Sequence, residues 1–318
     1  MIAFVFPGQG AQAVGMGRGL VDSFPVCRST FDEADAALGF ALSEIIFDGP
    51  AERLTLTEIA QPAILTVSVA ACRLLEQRGA RPALVAGHSL GEYSAHVAAG
   101  TFTFADAVRT VHHRGRFMQA AVPVGEGAMA AVLGLDEPAV RAACEEAAEG
   151  QVVSPANLNA PGQVVIAGHT AAVARAGKRA KARGAKRVIA LQVSAPFHCA
   201  LMRPAEERLA PQLRTLPVRD PRVPVVANVD AEPKRDADAA IAALIRQVSA
   251  PVRWEDCVRR LTAEGATAFV EVGPGTVLSG LIRKIARDAT TVNLDQPAGL
   301  EAVEAIASVD GPHPSEHS

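Results

Sequence analysis

The chain has 318 residues, with 31 Lys and Arg against 34 Asp and Glu and a formal net charge of −3. Hydrophobic residues make up 49% and charged residues 20% of it, which is enough to fill a core and excludes a disordered chain or a strongly basic nucleic-acid binder. No run of about 18 uninterrupted apolar residues is present, so no membrane span is expected. Residues 1–8 have neither the basic region nor the apolar length of a signal peptide. The five cysteines (27, 72, 144, 199, 257) include no CxxC pair, which points to reduced thiols and a cytoplasmic protein. No His, Cys, Asp and Glu cluster has metal-ligand spacing, so no metal is expected.

Ile2 to Phe6 reads as a buried strand running into Pro7-Gly8. Pro62 to Arg78 reads as a helix with Pro at its start and Gly79 past its end. Ala83 to Ala86 is strand-like, and Leu90 to Ala99 is helical up to Gly100. Thr103-Phe104-Ala105-Asp106 resembles a capping box opening a helix that runs to about Ala120. Residues 127–192 then read as strand (Ala128 to Leu135), helix (Pro138 to Ala148), strand (Gln151 to Ser154), strand (Gln163 to Ala167), helix (Ala171 to Arg183) and strand (Lys186 to Gln192). That βαββαβ order is ferredoxin-like. Ala268 to Val272 is a strand, and Val277 to Ala286 a helix after Gly273-Pro274-Gly275. The expected fold is α/β: a large α/β-hydrolase-like domain with a mostly parallel sheet (1–125 and 193–306) carrying a ferredoxin-like subdomain (126–192). The tail, 307–318, lacks apolar periodicity and is expected to be disordered.

Gly87-His88-Ser89-Leu90-Gly91 fits G-x-S-x-G between a strand and a helix. In that setting the turn presents the Ser89 hydroxyl at the sheet edge, and the Leu90 N–H points where an oxyanion would form. The bland alternative is an ordinary Gly-rich turn. A serine nucleophile needs a base, and of eight histidines His198 is the candidate, because it follows the strand-like stretch Val188 to Val193 in a loop. His96 lies mid-helix, and His112 and His113 read as surface positions. Phe6-Pro7-Gly8-Gln9-Gly10 lets backbone approach a ligand closely. Its Gly8-x-Gly10-x-x-Ala13 spacing is a poor dinucleotide fingerprint, since Asp32 and Glu33 fall in a helix-like stretch. On the helix from Phe104, Arg114 falls at the edge of the apolar face, between Val111 and Met118, whereas Arg109 and Arg116 fall opposite. A half-buried guanidinium needs an anion, and the helix leaves two open: an internal Asp or Glu, or a substrate carboxylate. Seven cations and no acid lie between Ala171 and Gln192, which leaves −10 on the rest of the chain. This run, with Arg283, Lys284 and Arg287, could steer an acidic partner.

Taken together, Phe6-Pro7-Gly8-Gln9-Gly10, Gly87-His88-Ser89-Leu90-Gly91-Glu92, Arg114, Asn157-Leu158-Asn159-Ala160-Pro161-Gly162-Gln163, Phe197-His198 and Glu271-Val272-Gly273-Pro274-Gly275 resemble the malonyl-CoA:acyl carrier protein transacylase family, from Ile2 to about Leu294. The resemblance implies that Ser89 carries the malonyl ester and that His198 is its general base and acid. It implies that the Gln247 main-chain carbonyl orients His198 and that the N–H groups of Gln9 and Leu90 form the oxyanion hole. It also implies that Arg114 grips the malonyl carboxylate and that Gln61, Met118, Asn157 and Phe197 line the pocket. The implied substrates are malonyl-CoA and holo-acyl carrier protein, with no cofactor. The carrier would dock transiently on a cytoplasmic monomer that binds no membrane or nucleic acid. Fatty-acid supply and polyketide loading both fit. A serine thioesterase or esterase would need an acid between Ser89 and His198, where Asp106 and Asp136 are the only Asp residues and neither ends a strand. A non-catalytic acyl-binding module would have no need of Ser89.

Overall fold

The computed structural model describes residues 1–309, and ten strands form among them. They are β1 (Ile2–Phe6), β2 (Leu84–Gly87), β3 (Gly127–Leu133), β4 (Val153–Ala160), β5 (Gln163–His169), β6 (Arg187–Ala190), β7 (Val225–Val226), β8 (Pro233–Lys234), β9 (Ala268–Val272) and β10 (Thr290–Leu294). The larger sheet has the order β10-β9-β1-β2-β7-β8 and is parallel except at β8. Every residue of β1, β2 and β9 is buried, as befits central parallel strands covered on both faces. The second sheet has the order β4-β5-β3-β6, antiparallel throughout. Its two helices, Glu137–Ala147 and Thr170–Ala182, share a core with it through Val140, Ala176, Val132 and Ile166. The mixed α/β architecture and the βαββαβ order are those expected from sequence.

Several boundaries differ. The helix placed at Pro62 starts at Thr57 and runs to Gln77, with Pro62 inside it. Proline normally breaks a helix by removing a donor. Here the Glu58 carbonyl, left without that donor, accepts instead from His112 Nδ1 at 2.8 Å. This helix is long and apolar enough to cross a membrane, yet it is almost wholly packed inside the protein as a core helix. His112 and His113 are therefore half-buried contacts, not surface residues; His113 Nδ1 lies 3.0 Å from Gln212 Oε1. β4 begins later than expected and runs on to Ala160, with bulges around Asn157. Val252 pairs with this irregular stretch, its N–H donating to Ala156 and its carbonyl accepting from Leu158, and so ties the second sheet to the rest of the chain. β6 ends at Ala190, and Leu191 to Ser194 leave the sheet to wall the central cleft. The two-residue strands β7 and β8, and β10, were not among the elements expected from sequence. Residues 307–309, assigned to a disordered tail, complete a helix, Leu300–Val309; the rest of that tail lies outside the described residues.

Gly115 shows how tightly the site's framework is packed. A Cβ there would lie 2.6 Å from Glu58 Cα and 2.6 Å from the Thr57 carbonyl oxygen, so the helix Phe104–Ala120 touches helix Thr57–Gln77 one residue from Arg114. Gly115→Ala should cost about 1–3 kcal/mol of stability through overpacking. Gly280, also within a helix, meets nothing within 4 Å, and Gly280→Ala should gain about 0.5–1 kcal/mol. Urea unfolding of both variants checks the pair; unchanged stability in Gly115→Ala would contradict the packing.

Candidate active site

The turn after β2 is forced by contact. A Cβ on Gly87 would lie 1.9 Å from the Gly91 carbonyl, and one on Gly91 would lie 2.1 Å from the Phe6 carbonyl oxygen. Only glycine fits either place. Between them Ser89 adopts a φ of 52°, a left-handed conformation that a non-glycine residue holds only when its surroundings impose it. Asn228 imposes part of it. Its Oδ1 accepts from the Ser89 N–H at 2.7 Å, and its Nδ2 donates to the Gly87 carbonyl at 2.7 Å.

Ser89 Oγ lies 2.7 Å from His198 Nε2. On the far side of the ring, Nδ1 lies 3.0 Å from the Gln247 main-chain oxygen. A carbonyl can only accept, so the proton resides on Nδ1 and the Nε2 lone pair faces the serine. Burial, and after it the positive charge of Arg114, hold the imidazole down to about 3. No carboxylate orients this histidine. The Asp106 N–H donates to the capping Thr103 hydroxyl while its carboxylate accepts from that hydroxyl and pairs with Arg109, and Asp136 caps helix Glu137–Ala147. That removes the acid an esterase triad would require.

Arg114 is buried. Its NH1 donates to Gln61 Oε1 at 2.7 Å, and its NH2 to Gln247 Oε1 at 2.9 Å and to Ser89 Oγ at 3.2 Å. The guanidinium carbon lies 5.5 Å from the centre of the Tyr93 ring. Among the described residues no carboxylate pairs with it, and this overturns the internal Asp or Glu left open by the sequence. A buried cation in this position is free to pair with an incoming anion.

A cleft of about 670 Å³ opens over these groups and is lined by Gln9, Gln61, Ser89, Leu90, Arg114, Met118, Asn157, Phe197 and His198. The structure thus gathers every site residue chosen from sequence, with Gln247 just behind the wall. The backbone N–H groups of Gln9 and Leu90 have no acceptor among the described residues. Leu90 also stands at the N-terminus of helix Gly91–Ala98, where the dipole favours negative charge. Asp32 is exposed and Glu33 pairs with Arg73, so neither serves a nucleotide at the Gly8–Gly10 loop. Neither basic run lines the cleft; Arg175 and Arg183 are tied to Glu149 and Glu146. Sequence reading missed Asn228, which follows a two-residue strand and belongs to no motif. It also missed the part played by the Gln247 side chain and by Glu92, which fits the motif at a buried helix position.

Residues 3–301 match the acyl transferase domain family. The chain is 54% identical to the malonyl CoA-acyl carrier protein transacylase of Escherichia coli K12 over 301 residues, covering 94% of this chain and 97% of that protein. It belongs to the malonyl CoA-acyl carrier protein transacylase family. The Bacillus subtilis 168 transacylase is 49% identical over 94% of this chain and 95% of its own length. Among solved structures, the acyl carrier protein S-malonyltransferase of Vibrio cholerae superposes with a TM-score of 0.93 at 49% identity, over 95% of this chain and 99% of that one. A malonyl-transacylase solved in complex with a type II PKS acyl carrier protein gives 0.94 at 47% identity, over 96% and 99%.

The low histidine pKa makes a pH prediction for this transacylase fold. Because His198 is neutral at every pH well above about 3, Ser89 should keep its base as the solution is acidified through the ordinary histidine range near 6.5. Inactivation by a serine-directed sulfonyl fluoride should hold its rate constant within about threefold between about pH 8 and about pH 5. A fall with its midpoint near 6.5 would show an ordinary, solvated imidazole.

Proposed function

We propose that the chain transfers malonyl from malonyl-CoA to the phosphopantetheine thiol of holo-acyl carrier protein, as a malonyl-CoA:ACP S-malonyltransferase supplying extender units for fatty-acid synthesis. The observation that carries this reading is Arg114: a buried guanidinium without a carboxylate partner among the described residues, 3.2 Å from a serine hydroxyl already engaged by histidine. Malonyl is an acyl group that ends in a carboxylate, so its thioester carbon can meet Ser89 while its far end meets Arg114. The names of the relatives agree. The malonyl-transacylase paired with a type II PKS carrier supports a second reading, in which the same transfer loads a polyketide carrier.

In the first half-reaction Ser89 Oγ attacks the thioester carbon and its proton passes to His198 Nε2. The carbonyl oxygen becomes an oxyanion, which accepts from the free N–H groups of Gln9 and Leu90. Collapse breaks the C–S bond, and the departing thiolate of CoA takes the proton back from His198. In the second half-reaction the carrier thiol gives its proton to His198 and attacks the Ser89 ester, and Ser89 leaves reprotonated. One thioester is consumed and one is formed, so in this reading no cofactor takes part. Gln247 keeps the imidazole in its tautomer, and Gln61, Met118, Asn157 and Phe197 bound the acyl chain. The enzyme works as a cytoplasmic monomer that meets its carrier transiently, steered by cations such as Lys178, Arg179 and Arg187.

Initial rates with both substrates varied should give parallel double-reciprocal lines, because the acyl group rests on the enzyme between them; intersecting lines would require a ternary complex. Arg114→Ala should lose about 2–4 kcal/mol of transition-state stabilisation for malonyl transfer, about 30- to 900-fold in kcat/KM, as when one partner of a buried charge pair is removed. Its relative activity on acetyl-CoA should rise, and Arg114→Lys should recover only part, since an ammonium lacks the forked geometry. An unchanged malonyl-to-acetyl ratio in Arg114→Ala would refute the assignment.

A further inference from the structure

Glu92 lies directly beneath the serine turn, buried, in the first turn of helix Gly91–Ala98. The transfer chemistry makes no use of it. Its Oε2 accepts two hydrogen bonds, from the Asn228 N–H at 2.9 Å and from Gln247 Nε2 at 2.9 Å; its Oε1 has no partner. Gln247 Nε2 also donates to the Ser89 carbonyl at 2.8 Å, while the other end of the same amide, Oε1, accepts from Arg114 at 2.9 Å. A side-chain amide can be turned either way round. In the reversed orientation Gln247 would set an oxygen against the oxygens of Glu92 and Ser89 and an NH2 against the guanidinium.

We propose that Glu92 is a positioning residue for the acyl carboxylate pocket: by accepting from Gln247 it fixes that amide with its oxygen toward Arg114, and so sets the direction in which the guanidinium fork faces the substrate. The inference rests on the reading of Arg114 as the malonyl-binding group. What it requires of Glu92 is reach and an acceptor, not charge. Burial pushes the Glu92 carboxyl up to about 7, and Oε1, which has no partner, can take a proton while Oε2 goes on accepting from both donors. A glutamine at 92 has the same shape as that protonated form, with its NH2 in the place of Oε1. An aspartate keeps the charge but falls one methylene short of the two donors.

The test compares Glu92→Gln with Glu92→Asp, using kcat/KM for malonyl-CoA and for acetyl-CoA. Glu92→Gln should keep the malonyl-to-acetyl ratio within about threefold of the parent, and Glu92→Asp should lower it about tenfold or more, the scale of one lost hydrogen bond to a charged group. The loss in Glu92→Asp should appear in the KM for malonyl-CoA and be much smaller for acetyl-CoA. If Glu92→Asp lowers both substrates equally, or leaves both unchanged, Glu92 is only a brace beneath the turn and the proposal fails. It fails also if Glu92→Gln loses the ratio and Glu92→Asp keeps it, because charge would then be what matters. Arg114→Ala, measured alongside, separates the two levels: an unchanged ratio there removes the underlying reading whatever the Glu92 variants do.

Discussion

The close crossing of helix Gly91–Ala98 over the end of β1 is the constraint on which the site depends. Gly91 lies so near the Phe6 carbonyl, and Gly87 so near Gly91, that neither position can carry a side chain. The chain must reverse within three residues, and Ser89 takes a left-handed conformation to do it. The loops after β1 and β2 are pressed together as well: a Cβ on Gly8 would lie 2.4 Å from the His88 carbonyl oxygen. Two adjacent parallel strands thus bring Gln9 and Leu90, whose N–H groups have no acceptor among the described residues, into the cleft that Ser89 lines. The strain is held by hydrogen bonds from outside the turn, through Asn228 and Gln247.

The electrostatics follow from burying a cation in this place. Arg114 is surrounded by amide oxygens, a hydroxyl and an aromatic face, which engage NH1 and NH2 without neutralising the charge, while Nε has no hydrogen-bond partner among the described residues. The same charge helps to keep His198 unprotonated. This accounts for orientation of the histidine by the Gln247 carbonyl. A carboxylate in that place would raise the imidazole pKa and offer Arg114 an internal anion, and both effects would work against a site built to receive an anionic acyl group. Glu92, a buried acid in the network, makes no hydrogen bond to Arg114 and shares the Gln247 amide with it instead.

Much of this was legible in the sequence because it was written in local signals. The G-x-S-x-G turn, the strand before it and the Thr103 cap all lie within a few residues, and they appear where expected. So do β9 and the βαββαβ run. Arg114 was visible from helical phase, but its partners were not: Gln61 and Gln247 lie 53 and 133 residues away in the chain, and periodicity says nothing about such distances. Asn228 was invisible because β7 is two residues long and has no pattern. The start of the Thr57–Gln77 helix was misplaced because Pro62 reads as a first-turn residue, whereas His112, from another helix, donates to the Glu58 carbonyl in place of the missing N–H.

The central claim is that Ser89 holds the acyl group between two thiols. Intact-mass analysis after mixing the protein with malonyl-CoA measures this most directly, followed by peptide mapping and then by addition of holo-acyl carrier protein. A single malonyl increment on the peptide containing Ser89, lost when the carrier is added and recovered on the carrier's thiol, is the expected result. An increment on Cys199, no increment at all, or one that hydrolyses to free malonate without reaching the carrier would contradict it.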